Sequence, residues 1–390
     1  MKKIVFFQGD DDTNNLYPFT LTKKVQDIRI GILTIKEKWE KSLRLKSVDT
    51  PVKLIKGNIS SQAVEKIFLT PKDSIILIRA SLLPTPTLLN HIKQLQKGQK
   101  IISADGIAVW NINPNTAVTQ KQWPDIVVDD LLSIQYPWHI FQHNHTALLL
   151  DFKRLTKGRK SLPVHKSNSL INSKNIFIEQ GAVVRHCIIN ADEGPVYIGK
   201  NALIMEGGCL RGPVSIGESA VVKMGAKIYG ATTIGPRCTV GGEIKNSVLF
   251  AYSNKAHDGY LGDSVIGEWC NLGAGTSNSN LKNTAGNIDV HLQGKKLPAG
   301  KKCGVIMGDF SRTAINTGIN SGTVIGVSAN VFGSGLTPKH IPSFSWGHNH
   351  TIKYQLSKAL EDARRWKNLK GEQLTEIEIT NLKNIYKHLK

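Results

Sequence analysis

Residues 198–240 read IGKNALIMEGGCLRGPVSIGESAVVKMGAKIYGATTIGPRCTV, and an aliphatic residue returns at every sixth position of this stretch. The aliphatic series is Ile198, Ile204, Leu210, Ile216, Val222, Ile228, Ile234 and Val240. A strand repeats every two residues and a helix every 3.6, so a sustained period of six indicates a stacked β-solenoid. Four positions after each aliphatic residue stands a mostly small or β-branched residue, which suits a tight corner. The pattern predicts a left-handed parallel β-helix with three six-residue faces per coil.

The six-residue period continues in both directions along the chain. Its further members are Ile178 and Val184 upstream, Tyr260, Ile266 and Leu272 in a second phase, and Met307, Thr313, Ile319, Ile325 and Val331 in a third. We therefore expect the β-helix to span residues 175–340. The polar stretch Ser277 to Lys302 interrupts the period and is predicted to be a loop outside the β-helix. Long loops on rigid scaffolds are often functional.

The two ends of the chain have a different texture from the repeat. Residues 1–155 alternate short apolar strands with helical segments, which predicts a layered α/β domain with a largely parallel sheet. The predicted strands are Lys3–Phe7, Val52–Ile55, Ser74–Leu82 and Lys100–Ser103, and the predicted helices are Val25–Leu43 and Thr87–Gln96. Residues 351–390 are expected to form a C-terminal helical tail. Leu356, Leu360, Ala363 and Trp366 give it an apolar face that can cap the β-helix or clasp a neighbouring subunit.

The composition is that of an ordinary globular protein of more than one domain, with 390 residues, 40% hydrophobic and 21% charged. The net charge of +20 invites a nucleic-acid partner, but the basic residues are spread along the chain without interleaved aromatics. We interpret them as a solvated surface that also attracts phosphorylated small molecules, with no nucleic acid. No apolar run reaches the roughly 20 residues of a membrane span. The apolar run at the N-terminus is too short for the hydrophobic region of a signal peptide, so we expect a cytoplasmic protein without a membrane partner.

Neither cysteines nor histidines predict a metal site. The five cysteines, Cys187, Cys209, Cys238, Cys270 and Cys303, are scattered and contain no C-x-x-C pair. This spacing disfavours a disulfide framework and a structural zinc site, and favours packed free thiols. The sequence also holds His340, His348 and His350, but no carboxylate or cysteine accompanies them. We interpret these three as loop histidines.

The loop after the first predicted strand is the candidate nucleotide site of the N-terminal domain. It reads GDDDTNNLYPFTLTKK, from Gly9 to Lys24, and offers one glycine and three aspartates. A phosphate-binding loop usually needs several glycines, and the aspartates would repel a nucleotide unless Mg²⁺ intervened. Lys23 and Lys24 can supply positive charge. Arg79 follows a later strand where a Mg²⁺-binding carboxylate is expected, and Asp105 is a weak substitute, so an ordinary surface loop remains the alternative.

Five segments of this sequence resemble a known family. They are LYPFTLTKKVQDIRIGILTIKEKWE, YPWHIFQHN, VVKMGAKIYGATTIGP, GGEIKNSVLFAYSNKAHDGYLGDSVIGEWCNLGAGT and IPSFSWG. An α/β domain followed by a hexapeptide β-helix is similar to the bifunctional N-acetylglucosamine-1-phosphate uridylyltransferase/glucosamine-1-phosphate acetyltransferase family. The segments resemble more closely the sugar nucleotidyltransferase family described in Bacteroidetes-type bacteria. The resemblance implies the same two-part fold, and a homotrimer that builds its acyl-transfer site between subunits.

The resemblance also implies site residues in the β-helix. In the bifunctional family a histidine in a G-H-x-x-Y-x-G-D segment is the general base that deprotonates a sugar amine for attack on acetyl-coenzyme A. The segment A-H-D-G-Y-L-G-D places His257 and Tyr260 at the matching positions. The other matches are two substrate-binding asparagines, Asn271 and Asn280, and two phosphate-contacting basic residues, Lys227 and Lys245.

These residue types suit acyl transfer to an amine. An amine must be neutral to attack a thioester, and a histidine with a pKa near 6.5 can accept its proton near pH 7. Lys227 and Lys245 would hold a sugar phosphate, while Tyr260 and the asparagines would orient the sugar. Backbone N–H groups of Gly273, Ala274 and Gly275 are expected to contact the acyl carbonyl or the pantetheine arm. The alternatives are a surface histidine, solvated lysines, and packing roles for Tyr260 and Asn271.

The sequence departs from the bifunctional family at three places, and these departures keep several functions open. Leu281 replaces a tyrosine, the Ser277 to Lys302 stretch does not align, and the Gly-x-Gly-x-Arg nucleotide loop is missing. The leading hypothesis is an acetyl-coenzyme A-dependent N-acetyltransferase acting on a glucosamine-1-phosphate-like sugar, in synthesis of UDP-N-acetylglucosamine or cell-envelope precursors. The alternatives are an active sugar-1-phosphate nucleotidyltransferase using Mg²⁺, and a non-catalytic trimeric scaffold that binds sugar nucleotides.

Overall fold

The computed structural model describes residues 2–9, 12–55, 58–59, 74–113, 124–348 and 352–389. The chain forms two compact units. The first comprises Met1–Leu16, Lys24–Ile28 and Leu33–Gln135, and the second comprises Tyr17–Lys23, Arg29–Ile32 and Tyr136–Lys390. This division differs from the boundary near residue 155 expected from the sequence. Two short N-terminal segments and the helices Pro137–Gln142 and Asn144–Thr156 belong to the unit that contains the β-helix.

A mixed β-sheet forms the centre of the first unit. Its strand order is Asn58–Ile59, Ser47–Ile55, Lys2–Gln8, Ser74–Arg79, Gly106–Ile112, Lys100–Ser103 and Ile126–Val127. The third strand in this order, Lys2–Gln8, pairs in parallel with both neighbours. In contrast, Gly106–Ile112 runs antiparallel to both of its neighbours. The expectation of a largely parallel sheet is therefore correct for Lys2–Gln8 and its neighbours and wrong on this side, where a strand that the sequence analysis missed inserts. It is also wrong at the opposite edge, where Asn58–Ile59 runs antiparallel to Ser47–Ile55.

Short helices accompany this sheet. They are Asp12–Asn15, the 3₁₀ turn Val25–Asp27, Ile35–Leu43 and Pro86–Gln94. The helix Ile35–Leu43 begins at a capping box in which the side chains of Thr34 and Glu37 bond each other's backbone N–H groups. The predicted long helix Val25–Leu43 is wrong, because Gly31 adopts a φ of +67° between the short strands Arg29–Ile30 and Leu33–Thr34. Pro86–Gln94 confirms the second predicted helix.

The second unit contains a parallel β-helix with three faces. Face 1 consists of Ser169–Ile171, Ile188–Asn190, Cys209–Arg211, Lys227–Tyr229, Glu243–Lys245 and Tyr260–Gly262, continued by Ser277–Asn278 and Gly318–Ile319. Face 2 consists of Ile176–Ile178, Val196–Ile198, Val214–Ile216, Thr232–Ile234, Val248–Leu249, Val265–Ile266, Ile306–Met307, Val324–Ile325 and His340–Ile341. Face 3 consists of Val183–Val184, Leu203–Ile204, Val221–Val222, Thr239–Val240, Asn254–Lys255, Asn271–Leu272, Arg312–Thr313 and Asn330–Val331.

The six-residue aliphatic series forms the interior of this β-helix, as predicted. Every member from Ile198 to Val240 is at most 2% exposed and belongs to one hydrophobic cluster. Thr313, the polar member, is also buried, and its hydroxyl lies 2.8 Å from that of Thr276. Tyr260 is an exception to the predicted phase. The strand register pairs Ile244 with Leu261, so Leu261 is buried and Tyr260 is half-exposed.

The stretch predicted as a loop contains regular structure. It starts with the β-helix strand Ser277–Asn278, which pairs with Gly318–Ile319. It then forms an antiparallel hairpin of Ile288–Leu292 and Lys295–Gly300. Alternate residues Ile288, Val290 and Leu292 are buried, which is the two-residue period of a half-buried strand. That short alternation was hidden within a polar stretch, and the predicted loop is therefore a hairpin inserted between two coils.

Two C-terminal helices, Leu356–Asn368 and Glu376–Lys387, confirm the helical tail. They pack on residues at the corner between faces 2 and 3, including Trp269, Phe310, Val327 and Phe344. The rings of Trp269 and its neighbour Tyr252 stack with centroids 4.1 Å apart. The apolar face of the tail is thus buried against the β-helix of the same chain. None of the helices within the described residues is long and apolar enough to cross a membrane.

Candidate functional site

A cavity of about 760 Å³ crosses face 3 of the β-helix. One end lies at the corner between faces 2 and 3, where Ser219 and Arg237 line it. The other end lies at the corner between faces 3 and 1, where His257 lines it. We call this space the face 3 cavity. Three outward-facing residues of successive coils, Thr239, Asn254 and Asn271, line its floor.

His257 stands exposed at the corner that follows the strand Asn254–Lys255. Among the residues that the structure describes, none hydrogen-bonds its imidazole, so both ring nitrogens are open to a ligand. Asn271 lies on the next coil, where it pairs with Asn254 and accepts a 3.4 Å hydrogen bond from the side-chain amide of Asn254. The structure therefore brings two of the predicted site residues, His257 and Asn271, to one cavity.

The backbone at His257 is held by a buried lysine that the sequence analysis missed. Lys255 is 2% exposed at an inward position of face 3, where it pairs with Val240. Its ammonium group donates to the carbonyl oxygens of Gly241, at 3.2 Å, and of His257. Burial lowers the pKa of Lys255 to about 8, and nearby Asp258 opposes that shift. The sequence signal for Lys255 is a lysine at a position where most coils of the repeat have a buried aliphatic residue.

The glycine-containing segment after Leu272 has fewer backbone N–H groups available to a ligand than expected. Gly273 and Ala274 line the face 3 cavity. However, the N–H of Gly273 donates to Thr313 and that of Gly275 donates to the carbonyl of Asp258. Within the described residues, only the Ala274 N–H of these three has no hydrogen-bond acceptor. The expectation that all three amides contact an acyl group is therefore wrong for Gly273 and Gly275, because the coil stacking already uses them.

The remaining predicted site residues lie on face 1 rather than in the cavity. Asn280 donates to the hydroxyl of Tyr260 at 3.1 Å and also to the carboxylate of Asp263. Asp263 is 4% exposed and accepts a second bond, of 2.6 Å, from Asn246. Burial raises the pKa of Tyr260, with help from Asp263. Asp263 thus fixes the position of Asn280, and through it the hydroxyl of Tyr260.

The two predicted phosphate-binding lysines have an acidic neighbour. Lys227 is exposed and pairs in the ladder with Glu243, which pairs in turn with Tyr260. The Glu243 carboxylate accepts a 2.6 Å bond from Tyr229, which raises the pKa of that tyrosine to about 12. The ammonium group of Lys245 lies 5.4 Å from the centroid of the Tyr229 ring. Face 1 therefore offers a mixed polar surface with two cations, a carboxylate and two phenols.

The cavity is also lined by residues of the C-terminal tail, of which the sequence analysis named only Trp366, as a packing residue. The tail residues that line the face 3 cavity are Trp366, Leu369 and Lys370. Lys370 donates to the carbonyl of Arg237 at 2.7 Å and to the side chain of Asn254 at 2.8 Å. Burial lowers the pKa of Lys370, and its neighbour Arg237 adds to that effect. The amphipathic pattern of the helix predicted its docking, but not which residues would reach the cavity.

In the first unit, the candidate nucleotide loop folds around an ion pair. Arg79 contacts both carboxylate oxygens of Asp12, at 2.9 and 3.1 Å, and the N–H of Gly9 donates to the same carboxylate at 2.8 Å. The side chain of Asp105 accepts a bond from Gln135. Both described carboxylates of the proposed Mg²⁺ site are thus already bonded, and Asp12 faces a guanidinium. The described residues do not fit a Mg²⁺ site, and Asp10 and Asp11 lie outside them.

The two lysines predicted to bind a nucleotide lie in different units. Lys24, in the first unit, forms an exposed ion pair with Asp49. Lys23, in the second unit, forms a buried ion pair with Asp309. Because the Lys23 ammonium group is buried against a carboxylate, it is not free for a phosphate. Its prediction as a nucleotide ligand is therefore wrong.

Within the described residues, the cysteines and histidines do not form a metal-binding cluster. All five cysteines are free, and burial raises the pKa of Cys187, Cys238, Cys270 and Cys303. Across the described ranges, no group of three or more histidine, cysteine and acidic residues is arranged to hold a metal ion. His340 lies in a strand of face 2 and His348 is buried. His350 lies outside the described residues.

Comparisons with known proteins agree with the two-part organisation. Residues 4–160 match the family model described as sugar nucleotidyl transferase, which confirms the resemblance for that part of the chain. A stretch of 91 residues is 40% identical to the bifunctional sugar-1-phosphate nucleotidylyltransferase/acetyltransferase of Sulfurisphaera tokodaii, covering 23% of each chain. A stretch of 101 residues is 34% identical to the bifunctional protein GlmU of Methanocaldococcus jannaschii, covering 26% of this chain and 25% of that protein.

These alignments extend over about a quarter of the length of each curated relative. Among solved structures, the Arabidopsis UDP-N-acetylglucosamine acyltransferase is similar at 14% identity and a TM-score of 0.28, over 58% of this chain and 90% of that one. That TM-score is too low to bear on the function of this chain. The fold and the family match therefore define a sugar nucleotidyl transferase-like segment followed by a parallel β-helix.

Proposed function

We propose that this protein is an acetyl-coenzyme A-dependent N-acetyltransferase acting on an amino-sugar phosphate of the glucosamine-1-phosphate type, in synthesis of UDP-N-acetylglucosamine or cell-envelope precursors. The observation that carries the proposal is the position of His257. Its imidazole has no hydrogen-bond partner in the part of the chain that the structure describes, and it lies at the edge of a cavity that Asn271 also lines. The relative from Sulfurisphaera tokodaii, which is named as a bifunctional nucleotidylyltransferase/acetyltransferase, supports the same activity.

The chemistry needs one proton acceptor and one oriented amine. Acetyl-coenzyme A supplies an acetyl thioester, so that an N–C bond forms, a C–S bond breaks and a thiol leaves. His257 takes the proton that the amine loses and is then placed to return it to the departing sulfur. Asn271 in the floor of the cavity and the Ala274 N–H offer polar contacts to the reactants. Holding both reactants in one orientation accounts for much of the rate of such a transfer.

We further propose that the active form is a homotrimer. In one chain, Lys227 and Lys245 lie on face 1 and Asn280 bonds the face 1 residue Tyr260, whereas His257 lines a cavity on face 3. The predicted site residues therefore do not surround one space within a single chain. A neighbouring copy that brings its face 1 to this cavity would complete the set. Mass measurement in solution tests this assembly, and a monomer that is fully active would contradict it.

The test of the acetyl transfer is thiol release from acetyl-coenzyme A with a panel of amino-sugar phosphates and sugar nucleotides. We expect His257→Ala to fold normally and to lose about 10²-fold or more in turnover, the usual contribution of a general base. His291→Ala is a matched control, because His291 is exposed in the hairpin Ile288–Leu292. Unchanged turnover in His257→Ala would exclude this mechanism.

A second candidate is sugar-1-phosphate nucleotidyltransferase activity of the N-terminal part. The observation in its favour is the family match over residues 4–160. The ion pair between Asp12 and Arg79 opposes it, because that carboxylate is not free for Mg²⁺. Pyrophosphate release from UTP with a sugar phosphate and Mg²⁺ tests it. Sugar-nucleotide binding without turnover in either assay would instead favour a non-catalytic scaffold.

A further inference from the structure

The corner of the β-helix that carries His257 lies against a corner that is shorter than its neighbours. This corner joins the inward residue of a face 3 strand to the first residue of the next face 1 strand. Residues 222–227 and 255–260 cross it in five steps. In the coil between them, residues 240–243 cross it in only three. The two residues inside the short corner are both glycines.

The short corner brings the backbones of two coils into direct contact. A Cβ on Gly241 would lie 2.4 Å from the carbonyl oxygen of Ala256, and a Cβ on Gly242 would lie 2.8 Å from the carbonyl oxygen of His257. Gly242 also has a φ of +69°, in the left-handed region that favours glycine. Because these two positions carry no side chain, the corner at His257 can rest on the backbone of the preceding coil.

The side chain of Lys255 reaches the inside of this short corner. In two other coils the corner contains a buried residue, Ala226 or Thr276, four positions after the inward residue of face 3. A three-step corner has no such position. Lys255 extends to this place from its inward position on face 3, and its ammonium group donates to the carbonyl oxygens of Gly241, at 3.2 Å, and of His257.

This lysine is what holds the backbone of His257 from the inside. Within the described part of the chain, no other group donates to the carbonyl oxygen of His257. The next residue, Asp258, is held separately, because its carbonyl accepts a 3.0 Å bond from the N–H of Gly275 in the following coil. Since the carbonyl and the imidazole of His257 belong to one residue, fixing the carbonyl restricts where the ring can lie.

We infer that Lys255 is a positioning residue for His257, and that its bond to the carbonyl of His257 fixes the imidazole at the edge of the face 3 cavity. This inference rests on the proposed acetyl transfer, in which that imidazole accepts the proton of the amine. Lys255 is 2% exposed and does not line the cavity, so it acts through His257 and not on a substrate. A displacement of about 1 Å in a reacting group can cost about 10²-fold in rate.

The test is steady-state acetyl transfer at pH 7 by Lys255→Met, which removes the ammonium group and keeps most of the side-chain length. We expect kcat to fall about 10-fold or more, while the KM values of acetyl-coenzyme A and of the amino-sugar phosphate each change less than about 2-fold. Val222→Ala is the matched control. Val222 is buried at an inward position of face 3 in an earlier coil, so its truncation loosens the β-helix without removing a bond to His257.

A double variant separates positioning from general loosening. Because Lys255 acts through the imidazole, adding Lys255→Met to His257→Ala should cause no further loss of kcat. A further loss would mean that the lysine supports the structure alone. Gly242→Ala displaces the same carbonyl from the other side and should show the same two effects, and it carries the test if Lys255→Met does not fold.

A crystal structure of Lys255→Met tests the inference without an activity assay. We expect the carbonyl and the ring of His257 to move by about 1 Å or more, the scale at which catalysis is lost. If His257 moves but the wild-type protein transfers no acetyl group, the proposed activity is wrong and the holding contact stands. An unmoved His257, or a fully active Lys255→Met beside an inactive His257→Ala, would overturn the inference.

Discussion

The ammonium group of Lys23 is buried against the carboxylate of Asp309, which lies 286 residues further along the chain. The hydroxyl of Thr22 and the N–H of Glu268 donate to the same carboxylate at 2.7 and 2.8 Å. Burial alone would lower the pKa of Lys23, but Asp309 and Glu268 outweigh it and the pKa is raised. A segment near the N-terminus is thereby fixed to the β-helix by a fully bonded buried ion pair.

Removing this lysine should cost far more stability than removing its neighbour. We expect Lys23→Met to lower the free energy of unfolding by about 3 kcal/mol or more, because Asp309 would be left buried without a cation. Lys24→Met should cost less than about 1 kcal/mol, since Lys24 and Asp49 are 44% and 64% exposed. Urea denaturation of both variants measures the difference. Equal losses would contradict the importance of the buried pair.

The buried Lys255 predicts a pH-dependent stability. Its pKa is about 8 in the folded state and near 10.4 in an unfolded chain. Because the folded state binds fewer protons between these values, the contribution of Lys255 is fully present above pH 10.4 and is lost as the pH falls through 8. Lys255→Met removes this dependence, so the variant should become less stable relative to wild type as the pH rises from 7 to 10.

This prediction is measured by urea denaturation at pH 7 and pH 9.5. Over that interval the stability difference between wild type and Lys255→Met should change by about 2 kcal/mol. Lys200→Met is the control, because Lys200 is exposed at a corner of the β-helix. A constant difference for Lys255→Met across this range would mean that its ammonium group titrates at the ordinary lysine value.

Gly273 should tolerate no side chain, for reasons of packing alone. A Cβ at this position would lie 2.5 Å from the backbone carbon of Ala314 in the next coil. Gly273→Ala must push two coils apart, and we expect a loss of about 1–3 kcal/mol in the free energy of unfolding. Gly286→Ala is the matched control, since its Cβ would lie 3.6 Å from the nearest atom. Thermal unfolding compares the two, and a neutral Gly273→Ala would show that the coils can separate freely.

Gly262 makes room for the hydroxyl of Tyr260. A Cβ on Gly262 would lie 2.3 Å from that oxygen and 2.6 Å from the ring carbon that carries it. Gly262→Ala should therefore displace the ring and break the bond from Asn280. If Tyr260 orients the sugar as proposed, the KM of the amino-sugar phosphate rises about 10-fold, the value of one hydrogen bond.

The measurement for Gly262→Ala is steady-state acetyl transfer together with thermal unfolding. Tyr260→Phe should raise the KM by a similar factor, because it removes the same hydroxyl. The KM of acetyl-coenzyme A should stay unchanged in both variants. An unchanged sugar KM in either variant would remove Tyr260 from the proposed binding site.

The sequence predicted the β-helix well because its signal is repeated and local. Each coil buries the same positions, so the aliphatic series from Ile198 to Val240 marks the interior of the β-helix. The pattern is repeated in successive coils, and a single sequence is therefore enough to reveal it. The six-residue period gave wrong predictions where a single coil departs from it. The phase at Tyr260 was wrong, since the adjacent Leu261 is also apolar and its burial is decided by pairing with Ile244. The hairpin after Asn278 was missed because its buried alternate residues stand in an otherwise polar stretch.

For the candidate site, the sequence placed His257 and Asn271 but not the groups around them. Their motif is a short continuous segment, and neighbouring coils bring both to one cavity. Arg237, Trp366 and Lys370 carry no local signature of a site. Trp366 and Lys370 reach the cavity only because the C-terminal helix packs on the corner residues Trp269 and Phe310.

By itself, the sequence determined the three-faced β-helix, the order of the two parts of the chain and the helical tail, and its motif singled out His257. Periodic burial and short motifs depend on residues that are close in the chain, so the sequence records them. The tertiary structure alone decided that Lys23 binds Asp309, that Lys255 holds the backbone at His257 and that Trp366 lines the cavity. The pairing of Lys23 with Asp309 and the position of the helix that carries Trp366 depend on packing between segments that are distant in the chain. No local sequence pattern specifies such packing.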